Sequence, residues 1–126
     1  MLADFCESYS RKSSQRILAS LTQDISPVVI GIGNGDRQVG KEEIKEQLEK
    51  DFQGIESSSI EITWQHSVVR EDLAWIVAET QVSLLENGEK VNFPARLSAI
   101  ACLESGKWRW AHWHFSLPPA EGGWQF

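Results

Sequence analysis

Apolar residues recur along this chain at two periods. Up to Gly54 the spacing is helical, and beyond it the spacing is two. Leu2, Phe5, Cys6 and Tyr9 form one helical stripe within residues 2–12. Ile17, Leu18 and Leu21 form a second, with Ser13 or Ser14 placed as its N-cap. A short β-branched run, "ISPVVIGIG", starts near Pro27. The clearest helix is "GKEEIKEQLEKDF", where Ile44, Leu48 and Phe52 recur every four residues. Glu42, Glu43 and Glu46 stand early in it, where the helix dipole favours anions, and Gly54 is placed to end it.

In the second half, Ile60, Ile62, Trp64, His66 and Val68 alternate onto one strand face. Glu71–Asp72 reads as a turn, and Asn87–Gly88 as the turn of a hairpin. Pro94 suggests an edge or bulge in the strand that runs back. "ESGK" turns again, and "WRWAHWHFSL" is the last strand, stopped by Pro118 and Pro119. Simple alternation puts Trp108, Trp110, His112, His114 and Ser116 on one face of it. Arg109, Ala111, Trp113 and Phe115 take the other. Three helices followed by a meander of about four antiparallel strands, joined by an early strand, indicates an α+β fold. Residues 1–126 read as a single domain, since no linker or repeat divides them. The strands are apolar on both faces. The helices therefore cover one face and a second subunit is expected on the other.

Composition narrows the partners. The net charge is -6, with no concentrated Lys/Arg footprint, which argues against nucleic acid and an anionic membrane. Cys6 and Cys102 form no disulfide framework and read as reduced thiols of a cytoplasmic protein. The N-terminus lacks the apolar run of a signal peptide. Six Trp residues point to a large apolar interior, a cavity or an aromatic interface. Trp64, Trp75 and Trp110 are the expected cavity residues.

The chemistry-bearing candidates are few. "GIGNGDRQVG" follows a strand but breaks the GxGxxG spacing at Asp36, and no GK[ST] follows, so it reads as a turn at Asn34–Gly35. His112 and His114, with His66, could in geometry ligate a metal; histidines in a polar pocket or at a sheet rim are the favoured reading, and no metal or cofactor is expected. Glu79 and Arg96 interrupt apolar strands and could pair across neighbouring strands, either as a buried polar patch orienting a ligand or as a rim salt bridge. No nucleophile elbow occurs.

The order of elements and four strings resemble the SnoaL-like branch of the nuclear transport factor 2-like superfamily. The strings are "GNGDRQVGKEEIKEQLEKDF", "EDLAWIVAE", "FPARLSAIACLESGKW" and "WRWAHWHFSLP", and the resemblance runs from about Leu2 to Pro118. It implies a cone of helices packed into a curved antiparallel sheet around a mostly apolar pocket, and dimers through the outer sheet face. Carried onto this chain, it puts Trp75, Glu79, Arg96, His114 and Ser116 at the pocket. With the cavity tryptophans, Ser98 and His112, these complete the expected ligand-binding set. On that view His114 and Ser116 look inward, while Trp113 and Phe115 seal the subunit contact. Isomerases and cyclases of the superfamily use an Asp in the cavity; Asp36, Asp51 and Asp72 lie at turns or on a helix and none inside a strand. The expected function is therefore a non-catalytic, homodimeric domain binding a small apolar or amphipathic molecule. The alternative is an enzyme on the same scaffold with His114 or Glu79 moving a proton.

Overall fold

The computed structural model describes residues 1–33 and 35–118. Asn34 and Pro119, expected in a turn and at the end of the last strand, lie outside them. Helix α1 spans Leu2–Ser10, α2 Ser14–Ala19 and α3 Lys41–Gly54. The strands are β1 Val28–Ile30, β2 Arg37–Val39, β3 Ser57–Arg70, β4 Leu73–Glu86, β5 Glu89–Glu104 and β6 Lys107–Ser116.

Local chemistry fixes the ends. Ser13 caps α2 by accepting from the Arg16 N–H at 3.2 Å. Gly40 enters α3 at φ 88°, a conformation few other residues hold at low cost. Glu43 reaches back from the first turn to accept from the Val39 N–H at 3.0 Å. At the other end Lys12 Nζ donates to the Ile55 carbonyl at 3.0 Å, tying α3 to the α1–α2 corner. Asn87 and Gly88 both take positive φ (50° and 81°), as the tightest hairpins between twisted strands require. Ser105 and Gly106 repeat this at the β5–β6 turn.

All six strands form one sheet in the order β2-β1-β6-β5-β4-β3. The sheet is mixed and not wholly antiparallel as expected, because β1 runs parallel to β6, pairing Val29 with Trp113. The helices fill its concave side. Ala74, Ala78, Ala99 and Ala101 present small side chains there. Leu2, Phe5, Ile17 and Leu21 from the helical segment join them in one core with Trp110 and Trp113. Phe5 is the hub, with ring centroids 5.1 Å from Trp113 and 6.3 Å from Trp110.

Two register shifts decide which face the aromatic and imidazole side chains take. Along β3, Ile62 pairs with Thr80 but Trp64 pairs with Glu79, leaving Thr63 as an extra residue. Along β6, Trp110 pairs with Ala101 but His112 pairs with Ile100, leaving Ala111 extra. Each bulge inverts the alternation beyond it. Ile60 and Ile62 therefore face the helices, whereas Trp64 and His66 face outward beside Glu79 and Val77. Trp110, Trp113 and Phe115 face inward, whereas His112, His114 and Ser116 join the outer face. The expected orientation of the last strand is corrected on this point: Trp113 is buried in the core and His114 is exposed.

The outer face is consequently ordered in rows across the strands. Val68, Trp75, Ile100 and His112 form one row; His66, Val77, Ser98 and His114 form the next; Trp64, Glu79, Arg96 and Ser116 form the third.

Candidate functional site

Packing is tight where α1 meets the alanines and loosens toward the far end of the sheet. There a cavity of about 240 Å³ opens. Its walls are apolar: Phe5, Ile44, Leu48, Ile60, Val82, Leu84, Phe93, Trp113 and Phe115. Its polar residues are Tyr9, Asp36, Gln38, Gln47, Asp51 and Glu86. A hollow with oily walls and a few convergent polar groups is the usual form of a small-molecule site.

Three separate elements deliver the carboxylates. Asp36 closes the loop after β1, where the Gly31 N–H donates to the Asp36 carbonyl at 2.8 Å and the Asp36 N–H donates to Gly33 at 3.1 Å. The Asp36 carboxylate occupies the space a Cβ on Gly31 would need, so a side chain at residue 31 would have to displace it. Gln38, buried on β2, donates from Nε2 to Asp36 Oδ1 at 2.8 Å. On α3, Gln47 Nε2 donates to Asp51 Oδ1 at 2.8 Å, one helical turn away. Glu86 ends β4.

This setting alters proton affinities. Burial raises the Asp51 carboxyl above its ordinary range; the Gln47 hydrogen bond opposes this, and the negative charges of Asp36 and Glu86 reinforce it. Tyr9 is pushed up to about 12, first by burial and then by Asp51, Glu86 and Asp36. No Lys, Arg or His stands among the described residues lining the hollow.

The residues expected from the sequence lie elsewhere. Glu79 and Arg96 are register partners, as anticipated, but on the outer face. Both are exposed, no ion pair joins them, and they border a shallow depression with Thr63, Gln81 and Pro94. Ser98, His114 and Ser116 are exposed on the same face. Trp64 is 51% and Trp75 45% exposed. Trp110 is inside, at 2%, but it is packed core: it anchors the segment after α2, its N–H donating to Ser20 and its carbonyl accepting from Thr22, both at 2.8 Å. His112 is half-buried, with Nδ1 2.8 Å from the Val28 carbonyl, and so ties β6 to β1. Among the described residues no three His, Cys, Asp or Glu side chains gather as a metal site would need. Cys6 and Cys102 are both free. No described helix is long and apolar enough to cross a membrane.

Asp36 and Asp51, two of the three aspartates set aside for lying outside strands, line the hollow, and Asp72 does not. Asp51 carried a readable signal, since positions 44, 48 and 51 share one helical face. Tyr9 stood on the apolar stripe of α1. Nothing in the order of residues brings Asp36 or Glu86 to the same hollow; only the sheet closure does.

Solved structures share this fold. A candidate dehydratase of the nuclear transport factor 2-like family from Streptomyces avermitilis superposes with a TM-score of 0.86 at 15% identity, over 94% of this chain and 91% of that one. A nuclear transport factor 2-like superfamily protein from Salmonella enterica serovar Typhimurium gives 0.85 at 14%, over 94% and 87%. A ketosteroid isomerase-like protein from Erwinia carotovora atroseptica gives 0.78 at 19%, over 94% and 92%. No curated protein matches the chain. The SnoaL-like domain family matches residues 1–121, and with the cone and its hollow in place this match identifies the chain as a member of that family.

Proposed function

We propose that the chain is a small-molecule-binding domain whose ligand enters the hollow between α1, α3 and the concave sheet. The observation that carries this reading is the cavity of about 240 Å³ with apolar walls and polar side chains from α1, the loop after β1, β2, α3 and β4. Apolar atoms of the ligand replace water against Leu48, Val82 and Phe115, while Tyr9, Asp36 and Asp51 fix its polar end. A neutral probe, 2-phenylethanol, tests it. Leu84→Trp, which fills the hollow, should abolish its binding, and Trp64→Ala on the outer face should leave it unchanged. Equal binding by both variants would place the probe elsewhere.

A second reading is favoured by one observation, the raised proton affinity of Asp51 in this setting. A carboxyl with raised proton affinity, so placed, can exchange a proton with a bound substrate, and Tyr9 can donate to a developing oxyanion. The dehydratase-like and isomerase-like descriptions of two structural relatives accord with it. Its test is exchange of α-protons in a panel of enolisable ketones, lost in Asp51→Asn. On this reading Glu79 and His114 take no part, since both stand outside the hollow.

The functional unit in this proposal is a homodimer. Leu73, Trp75, Val77 and Ile100 are large apolar side chains exposed on the outer face in adjacent positions, flanked by the polar Glu79–Arg96 row. An apolar centre with a polar rim is the pattern of a subunit contact, and a stable one covers roughly 800 Å² per partner.

A further inference from the structure

We infer that the hollow selects an apolar molecule bearing a cationic group, such as a protonated amine, over its alcohol and carboxylate counterparts. This rests on the reading that the hollow is a ligand site, and deepens it by naming the ligand's charge. The cavity and its apolar walls make the site; the side chains around it set its sign.

Three carboxylates, Asp36, Asp51 and Glu86, line the hollow from three different elements, and no basic side chain among the described lining residues offsets them. The nearest amides are committed, because Gln38 and Gln47 each donate to one oxygen of an aspartate. Among the described residues, Asp36 and Asp51 therefore each keep a second oxygen with no amide on it, and neither glutamine amide reaches Glu86. A ligand supplying N–H donors and positive charge meets these acceptors with charge-assisted hydrogen bonds. A ligand carboxylate meets repulsion and no counter-charge, and a cavity walled by Phe5, Leu48 and Phe115 weakens screening by water. Burial and the neighbouring carboxylates also keep the Tyr9 phenol protonated, so the hollow gains no further anion there.

The experiment uses three probes with one apolar body: phenethylamine, 2-phenylethanol and 3-phenylpropanoate. Affinities are measured at pH 8, and methyl NMR shifts of Leu48 and Val82 report occupancy of the hollow. Phenethylamine should bind about tenfold or more tightly than 2-phenylethanol, with 3-phenylpropanoate weakest. Asp51→Asn should cut the amine's advantage by about threefold or more. The Asp36→Asn/Asp51→Asn/Glu86→Gln variant should bring amine and alcohol within about twofold, its retained alcohol binding showing that the hollow survives. Glu79→Gln, on the outer face, should change nothing. If the alcohol shifts Leu48 and Val82 but the amine binds no more tightly, charge selection is wrong and the hollow remains a ligand site. An advantage that survives Asp51→Asn undiminished also overturns it. If none of the three probes shifts these methyls, the ligand-site reading falls, and this inference with it.

Discussion

The Asp36 carboxylate sits where a Cβ of Gly31 would be, so residue 31 has no room for a side chain while Asp36 holds its place beside Gln38. Gly31→Ala should push Asp36 off the Gln38 amide and lower stability by about 1 kcal/mol, the net worth of the hydrogen bond lost. Urea unfolding measures it. An unchanged midpoint would mean that the loop yields freely and that Asp36 is not fixed over the hollow.

Tyr9 is the single tyrosine of the chain, so phenolate absorbance near 295 nm reports it alone. Its midpoint should lie near 12. A raised folded value means stability is fully present below the ordinary tyrosine pKa of about 10 and is lost as pH rises through the folded value. Tyr9→Phe should remove that alkaline loss. A midpoint near 10 would put the ring in water.

Asp51 behaves in the same direction at lower pH. Its raised folded value gives a contribution that is whole below the ordinary aspartate range and is lost as pH rises through the folded value. Over the window that opens at the ordinary aspartate value of about 4 and ends above the folded value, the wild type should lose stability relative to Asp51→Asn, which keeps an acceptor for Gln47. Urea midpoints of the two proteins across that window decide it; a difference that does not change with pH contradicts a buried carboxyl.

Trp113 packs on Phe5 in the core, and Arg96 stands exposed without an ion pair among the described residues. Trp113→Ala should cost about 3–5 kcal/mol and Arg96→Ala less than about 0.5. The opposite order would restore the face assignment that simple alternation suggests.

On the outer face, the wild type should sediment as a dimer, and Trp75→Glu or Val77→Glu should give a monomer with an intact near-ultraviolet signal. A charge at an apolar contact is buried without a partner, which the contact cannot tolerate. A wild type that is monomeric at about 100 µM, far above the Kd of a contact of standard size, would remove the dimer.

Much of the fold was legible because it follows periodicity. The three helices, the Asn87–Gly88 hairpin, the four long strands and the two apolar faces of β4 all read directly from spacing. The site was not legible, for a specific reason. A β-bulge is one added residue with no composition of its own, and Thr63 and Ala111 are unremarkable strand residues. Each bulge inverts the faces beyond it, which sent Trp64, His114 and Ser116 outward and Trp113 and Phe115 inward. Glu79 and Arg96 were rightly seen as neighbours, yet a cross-strand pair looks the same in sequence whichever face it takes. Asp36 and Asp51 were passed over because a strand position was expected of a cavity carboxylate, whereas a loop and a helix supply them here.

The central claim is that ligand chemistry belongs to the concave side of the sheet. Methyl NMR during a titration with 2-phenylethanol tests it most directly. The methyls of Ile44, Leu48, Ile60, Val82 and Leu84 should shift together and saturably, while those of Leu73, Val77 and Ile100 stay still. Shifts confined to the outer three would contradict it.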